Sequence, residues 1–346
     1  IGTDSPDSLL ELESSATTGH TLSMKGTSGN ASVRLKLDFN GNAGSQGSKG
    51  YLQYNNSTNS IELQSGGGIR FQPGGTTDRM ILDTNSRISL SNNDNNTSNT
   101  VFGKTAFNAG SDNDSDYNVA LGELAMGTGS VSGAQYNVAV GYVALEDITS
   151  GDGNTTIGSD SLKSLTTGAS NVAVGKGAAA SLGAGESQNI AIGAESMVSA
   201  DEGSGSGNEI DNNIAIGYQS LTMADFGSTG SRVAKRNIAI GSYALNSTGT
   251  NSQTGTIAIG YEALTALTSG ASNSAIGYSA GNELTTGANN VIIGYNALHS
   301  ADGAEHENTV VGSNAGSLID NDASSDNVLI GYLAGSGGSG EIDRCV

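Results

Sequence analysis

Apolar residues in this chain come in short, β-branched runs of two to four, separated by longer polar stretches, which suits strands rather than helices. From about residue 99 the alternation hardens into a phrase: "NIAIGYQSL" at 213–221, "NIAIGSYAL" at 237–245, "NVLIGYLAG" at 327–335. Aligned on the central glycine, thirteen copies occur, at Gly103, Gly122, Gly141, Gly158, Gly175, Gly193, Gly217, Gly241, Gly260, Gly277, Gly294, Gly312 and Gly331. They are 17 to 19 residues apart, except for two intervals of 24. A fixed period of this kind points to a repeat architecture, in which each unit buries its face against the next.

Each position of the phrase carries a physical expectation. Four residues before the glycine stands Asn in twelve copies, Asn213, Asn237, Asn273 and Asn290 among them, and Thr256 is the exception. One residue before the glycine is always Ile, Val, Leu or Phe, and three residues after it is always Ala or Ser. N-x-A-I predicts a short strand, so that a unit of about 17 residues forms one coil of a parallel β-solenoid. Stacked asparagines predict an amide ladder from coil to coil. Gly217, Gly241, Gly260, Gly277 and Gly294 predict a turn where φ must be positive or a Cβ would clash. The Ala/Ser position predicts a place too narrow for anything larger. Alanine and isoleucine on opposite sides of one strand predict that both of its faces are covered. Large side chains are too few for the coils to fill a wide interior alone. Coils packed against copies of themselves are therefore expected, three-fold in preference to two-fold.

Between the phrases lie polar stretches read as surface loops, such as "TTGAS" and "EDITSGDG". The two long intervals hold "ADEGSGSGNEID" and "ADFGSTGSRVAKR", the second carrying the basic cluster Arg232, Lys235 and Arg236. Residues 1–98 lack the phrase but show alternating segments, "SVRLKLDF", "GYLQY", "SIELQS", "GIRFQP" and "RMILD", which predict strands joined by Gly/Asn/Ser turns. The polar linker "SNNDNNTSNT" separates a β-rich region, 1–98, from a repeat domain, 99–346. Arg344-Cys345-Val346 stand in phase with a fourteenth copy, and the chain opens without Met. The natural sequence is accordingly expected to extend past both ends.

"NVAVGYVAL", "NIAIGYQSL" and "NVIIGYNAL" resemble the repeats of the trimeric autotransporter adhesin head, a left-handed parallel β-roll. They are more similar still to the longer-spaced variants in phage tail-fibre and other virion fibre proteins. "IGTDSPDSLLELE" and "GGTTDRMILDTNSRISL" resemble tail-fibre segments in which strands from three chains interleave. The resemblance implies a homotrimer in an extracellular fibre that reaches or grips a surface, and in tail fibres a C-terminal chaperone that is cut off.

Composition narrows the function classes. With 52 glycines, 2 prolines and a 35% apolar fraction, the chain is too regular for disorder. A net charge of −20, from 14 Lys+Arg against 34 Asp+Glu, repels phosphate backbones, so nucleic acid is not an expected partner. Cys345 is the single cysteine, which excludes a disulfide framework. No apolar run reaches the length of a membrane span.

Candidate chemistry is sparse. Asp112, Asp114, Asp116, Asn118 and Glu123 match the ligand spacing of an EF-hand, but Tyr117 fills the position where the sharp turn needs Gly. That string, like "IDNDASSDN" at 319–327, is read as a solvated acidic loop. His20, His299 and His306 are scattered, and no nucleophile-elbow, metalloprotease or phosphate-loop motif occurs. Tyrosine follows the glycine in six copies, at Tyr142, Tyr218, Tyr261, Tyr278, Tyr295 and Tyr332. Such a column either packs over the neighbouring coil or offers rings to a sugar, and the packing reading is preferred. Tyr218, Tyr261, Tyr278 and Tyr295 are thus the candidate ligand contacts. The expectation is an all-β, homotrimeric solenoid of about thirteen coils with no enzymatic activity, cofactor or metal. It would act in a virion fibre, partnering itself, other virion proteins and a host surface glycan or protein receptor. A bacterial surface adhesin is the alternative, and a polysaccharide-degrading tailspike with paired carboxylates the lesser one.

Overall fold

The computed structural model describes residues 98–107, 114–128, 130–198, 209–223, 233–248, 251–319 and 324–336, together with the backbone of six short strands before residue 90. The chain divides into two compact units, Ile1–Ser89 and Leu90–Val346. Every regular element among the described residues is a β-strand.

In the first unit, β1 (Val33–Leu37), β2 (Gly50–Asn55) and β3 (Ser60–Ser65) form an antiparallel sheet in that order. A second antiparallel sheet joins β4 (Ile69–Phe71), β5 (Met80–Leu82) and β6 (Ile88–Ser89). Each predicted alternating segment contains one of these strands, and the pairing runs between sequence neighbours within one chain.

The second unit is a parallel β-solenoid. Its main sheet has thirteen strands, each supplied by one phrase, from Thr100–Phe102 to Val328–Ile330. Register is fixed position to position: Ile214, Ala215 and Ile216 pair with Ile238, Ala239 and Ile240, and so on along the stack. The middle residue of each strand points inward and the two flanking residues outward. Ala139, Ala173, Ala215, Ala239, Ala258 and Ala275 are fully buried at that middle position. The Ala/Ser column three past the glycine is buried beside it, at Ala125, Ala144, Ser161, Ser220 and Ala263. Ser161 and Ser220 donate their hydroxyls to the glycine carbonyls of their own phrases, at 2.8 and 3.1 Å. Leu145, Leu162, Leu221, Leu245, Leu264 and Leu298, four past the glycine, fill the remaining interior.

The buried leucines come at a conformational cost that the sequence does not announce. Leu145 and Leu264 have φ of +53° and +51°, and the residues two before them, Val143 and Glu262, have +49° and +53°. A left-handed conformation costs a non-glycine residue about 1–2 kcal/mol. The alternation of hand is what lets the turn bond in both directions along the stack. Val143 donates its N–H back to Glu123 O, while Leu145 donates forward to Ser161 O, both at 3.0 Å.

The stretches read as irregular loops are partly regular. In the shorter coils a second apolar column, Ile148, Leu165, Leu182, Leu267 and Leu284, closes the interior from the far side. Three residues after its members Ile148, Leu165, Leu267 and Leu284 stands a second glycine, Gly151, Gly168, Gly270 or Gly287. A Cβ on any of these would sit 2.0–2.2 Å from a carbonyl oxygen of the next coil. The recurring "[LI]-T-[TS]-G" of residues 148–151, 165–168, 267–270 and 284–287 is the sequence signal for this corner. Around the two long intervals a second parallel sheet forms instead, from Glu209–Asp211, Val233–Lys235 and Gln253–Thr254.

Candidate association face and tyrosine column

The glycine of each phrase combines two requirements. Its φ lies between +128° and +147° throughout the column. An added Cβ would stand 2.6 Å from the Gly241 carbonyl carbon at Gly217, and 2.1 to 2.4 Å from the next carbonyl oxygen at Gly241, Gly260, Gly277 and Gly294. No side chain fits there, because the backbones of successive coils touch at this point.

The asparagines form internal ladders from coil to coil, one running up to Asn237 and one starting at Asn273. Asn137 Oδ1 accepts the Asn154 N–H at 2.9 Å and the Asn154 Nδ2 at 3.1 Å, and Asn137 Nδ2 donates to Asn118 Oδ1 and to Gly151 O. The same bonds join Asn189 to Asn213, Asn213 to Asn237, and Asn273 to Asn290. The amides of Asn137, Asn154, Asn171, Asn189, Asn213 and Asn290 use both donors and both acceptor sites inside the stack, so they hold it together and are not available to a ligand.

The outward face of the main sheet is mostly aliphatic, interrupted by Phe102 and by the hydroxyl side chains of Thr100, Thr155, Ser274 and Thr309. The residue before the glycine is Leu121, Ile157, Ile192, Ile276 or Ile293 in five coils, each 37–45% exposed. Val138, Val172, Ile190, Ile214, Ile238 and Ile257 form a parallel, half-buried column beside it. The prediction that both strand faces are covered is met on the inner face only; within one chain the outer face stays open. Thirteen strands at the usual ~4.8 Å spacing make this strip about 60 Å long.

Tyr218, Tyr243, Tyr261, Tyr278 and Tyr295 form one unbroken file of rings, Tyr243 entering from two residues past its glycine. Tyr261, Tyr278 and Tyr295 stack nearly parallel, with centroids 5.2 and 5.4 Å apart and planes 20° from one another. Tyr218–Tyr243 and Tyr243–Tyr261 meet edge to face, at 86° and 90°. A stacked ring spends its faces on its neighbours and shows solvent only its edge. The geometry therefore supports packing along the stack and offers a sugar no free ring face at Tyr278. The Glu195 charge and partial burial hold the Tyr218 phenol above its ordinary pKa, and a hydrogen bond to Glu262 does the same for Tyr261. A second stacked pair, Tyr117 and Tyr136, lies five residues before the glycines, with centroids at 5.1 Å and planes 3° apart.

The remaining candidates disperse. Asn118 belongs to the ladder and Glu123 pairs with Lys104 at 3.3 Å, so the calcium-like string does not converge on one point. Asp112 lies outside the described residues. Among the described residues no group of three or more His, Cys, Asp or Glu is placed to hold a metal ion. His306 Nδ1 accepts the Ala288 N–H at 2.9 Å as part of the corner, and His20 lies outside the described residues. Lys235 is bonded to Glu209 and lies 3.3 Å from Asp211, so part of the basic cluster is neutralised locally. The Glu209 bond holds its ammonium above the ordinary lysine value. Arg232 lies outside the described residues.

No family model, no curated protein and no solved structure matches this chain.

Proposed function

We propose that this chain is a structural fibre protein of a virion, a tail fibre or similar appendage, acting as a homotrimer in attachment to a host surface. The solenoid is read as a left-handed β-roll of about thirteen coils, with the outward aliphatic strips of three copies packed together around the fibre axis. The observation that carries this reading is the strip itself. It is an apolar surface about 60 Å long on an otherwise acidic chain, and surfaces of that size mark an association site. A second copy fits it better than a foreign partner, because the strip repeats aliphatic side chains in most of its coils and so can match itself along its length.

Stiffness comes from the ladders, and recognition is assigned to the sequence intervals between the phrases, the two long ones "ADEGSGSGNEID" and "ADFGSTGSRVAKR" among them. Three copies would present each such segment three times, and avidity would multiply a weak contact with a glycan or protein receptor.

Light scattering on the folded chain tests the assembly: a mass three times 34.5 kDa is expected. A single-chain mass for well-folded material would falsify the trimer. Antibodies against residues 98–336 should decorate virion fibres and block adsorption. Decoration of bacterial surfaces instead would transfer the same architecture to a cellular adhesin.

A further inference from the structure

The tyrosine pairs of the solenoid divide into two geometrical classes, and the division has a chemical consequence. Tyr261–Tyr278, Tyr278–Tyr295 and Tyr117–Tyr136 are stacked, with centroids 5.1–5.4 Å apart and planes within 20° of parallel. Tyr218–Tyr243 and Tyr243–Tyr261 are close to perpendicular. In a stacked pair whose backbones are held in register, the two phenols point the same way and their ortho carbons lie side by side. In a perpendicular pair the edge of one ring faces the centre of the other, and the ortho carbons are kept apart. The stacked rings are also reachable: Tyr261, Tyr278 and Tyr295 are 40%, 48% and 53% exposed, and Tyr117 and Tyr136 are 50% and 60% exposed.

We propose that the three stacked pairs are sites of oxidative dityrosine cross-linking, each stapling one coil to the next, with a peroxide acting through a haem peroxidase as the oxidant. Each phenol loses one electron and its hydroxyl proton, giving two phenoxyl radicals. The radicals couple through a bond between their ortho carbons, and the two ortho hydrogens shift to the oxygens to restore the phenols. The peroxide takes up the two electrons and two protons and leaves as two waters. Overall, two tyrosines and one hydrogen peroxide yield one biaryl and two waters. Backbone ladders on both sides hold the coils about 4.8 Å apart, which keeps each pair of rings adjacent while their side chains turn to bring the ortho carbons together. A fibre shaft stapled in this way would resist unravelling from a free end, the characteristic failure of a stack whose units contact only their neighbours.

The test treats the folded protein with horseradish peroxidase and hydrogen peroxide, digests it at acidic residues and maps cross-linked peptides by mass. Glu262 and Glu283 place Tyr261, Tyr278 and Tyr295 on three separate peptides. The expected products are the Tyr261–Tyr278, Tyr278–Tyr295 and Tyr117–Tyr136 links, each two hydrogens lighter than its parts, with blue dityrosine fluorescence. Tyr278→Phe keeps the ring stack but should abolish both links of the lower file while leaving Tyr117–Tyr136 intact. Tyr261→Phe should leave Tyr278–Tyr295. Links at the perpendicular pairs in equal yield, or products formed only between separate molecules, would overturn the proposal. So would an equal yield from urea-unfolded chain, because the selectivity is assigned to the stacked geometry.

Discussion

The Thr256 N–H donates to Asn237 Oδ1 at 3.1 Å, but the buried Thr256 hydroxyl has no hydrogen-bond partner and passes nothing on to Asn273. Asn273 turns its Nδ2 to Gly270 O and Gly287 O instead. The asparagine ladder is therefore two ladders, one ending at Asn237 and one beginning at Asn273. In the same coil, both amide atoms of Gln253 are buried without a hydrogen-bond partner. An unmade buried hydrogen bond costs about 1–3 kcal/mol.

Thr256→Asn should reconnect the halves. The introduced oxygen would accept the N–H and Nδ2 of Asn273, as Asn137, Asn154 and Asn290 do for their successors. We expect a gain of about 1–2 kcal/mol in unfolding free energy. Slower amide exchange on both sides of the repaired coil, measured against Asn213→Ala as the opposite perturbation, would check it. An unchanged or lower stability would show that the ladder is not what limits this coil.

Gly217 and Gly255 separate the two demands that a glycine can meet. Both have positive φ, +132° and +67°, but an added Cβ meets the Gly241 carbonyl carbon at 2.6 Å at Gly217 and meets no described atom within 4 Å at Gly255. Gly255→Ala should cost about 1–2 kcal/mol, the strain alone. Gly217→Ala must also push two backbones apart and should cost on the order of 4 kcal/mol or more. Urea melts of the two variants give the comparison, and equal losses would rule out the backbone contact as the reason for glycine.

Gly281 and Ile292 exchange volume between neighbouring coils. Most coils place a large residue four past the glycine and Ala in mid-strand, as with Leu264 and Ala275; here the large residue has moved to the strand. A Cβ on Gly281 would lie 2.9 Å from Ile292 Cδ1. Gly281→Leu alone should cost about 1–3 kcal/mol by overpacking, and Ile292→Ala about 2–4 kcal/mol through a cavity. The double variant restores the majority pattern and should lose at least about 1 kcal/mol less than the sum. Strict additivity in the thermodynamic cycle would mean that the two side chains do not share one space.

Strand positions and their register were legible because a stack imposes the same requirement at the same point of every coil. Asn213 and Gly217 recur for that reason, and so does the inward Ala215. What stayed hidden lies where the backbone overrides residue preference. Nothing in a leucine announces φ of +53° at Leu145. The corner glycines Gly151, Gly168, Gly270 and Gly287 were written into stretches that read as ordinary polar loops. The compensation between Gly281 and Ile292 involves two different phrase positions, so aligning the copies position by position conceals it. The tyrosine column was visible as a period, but the turn of Tyr243 into the file, which decides which rings stack, needed coordinates.

Alkaline pH should loosen the tyrosine file. The Tyr218 phenol is held above its ordinary value of 10.0 first by the charge of Glu195, and Tyr261 first by its hydrogen bond to Glu262. For both groups the folded state binds the proton more tightly than the unfolded chain. The stabilisation is then complete below about pH 10 and is lost as pH rises through the raised folded values. Unfolding free energy should accordingly decline from about pH 10 upward, and Tyr218→Phe and Tyr261→Phe should each flatten part of that decline. Glu262→Gln should bring the Tyr261 phenolate transition, read by its ultraviolet absorbance, back toward the ordinary value. If the folded protein formed phenolate at the same pH as the unfolded chain, the carboxylate neighbours would have no hold on the column. The alkaline instability would then have to come from elsewhere in the stack.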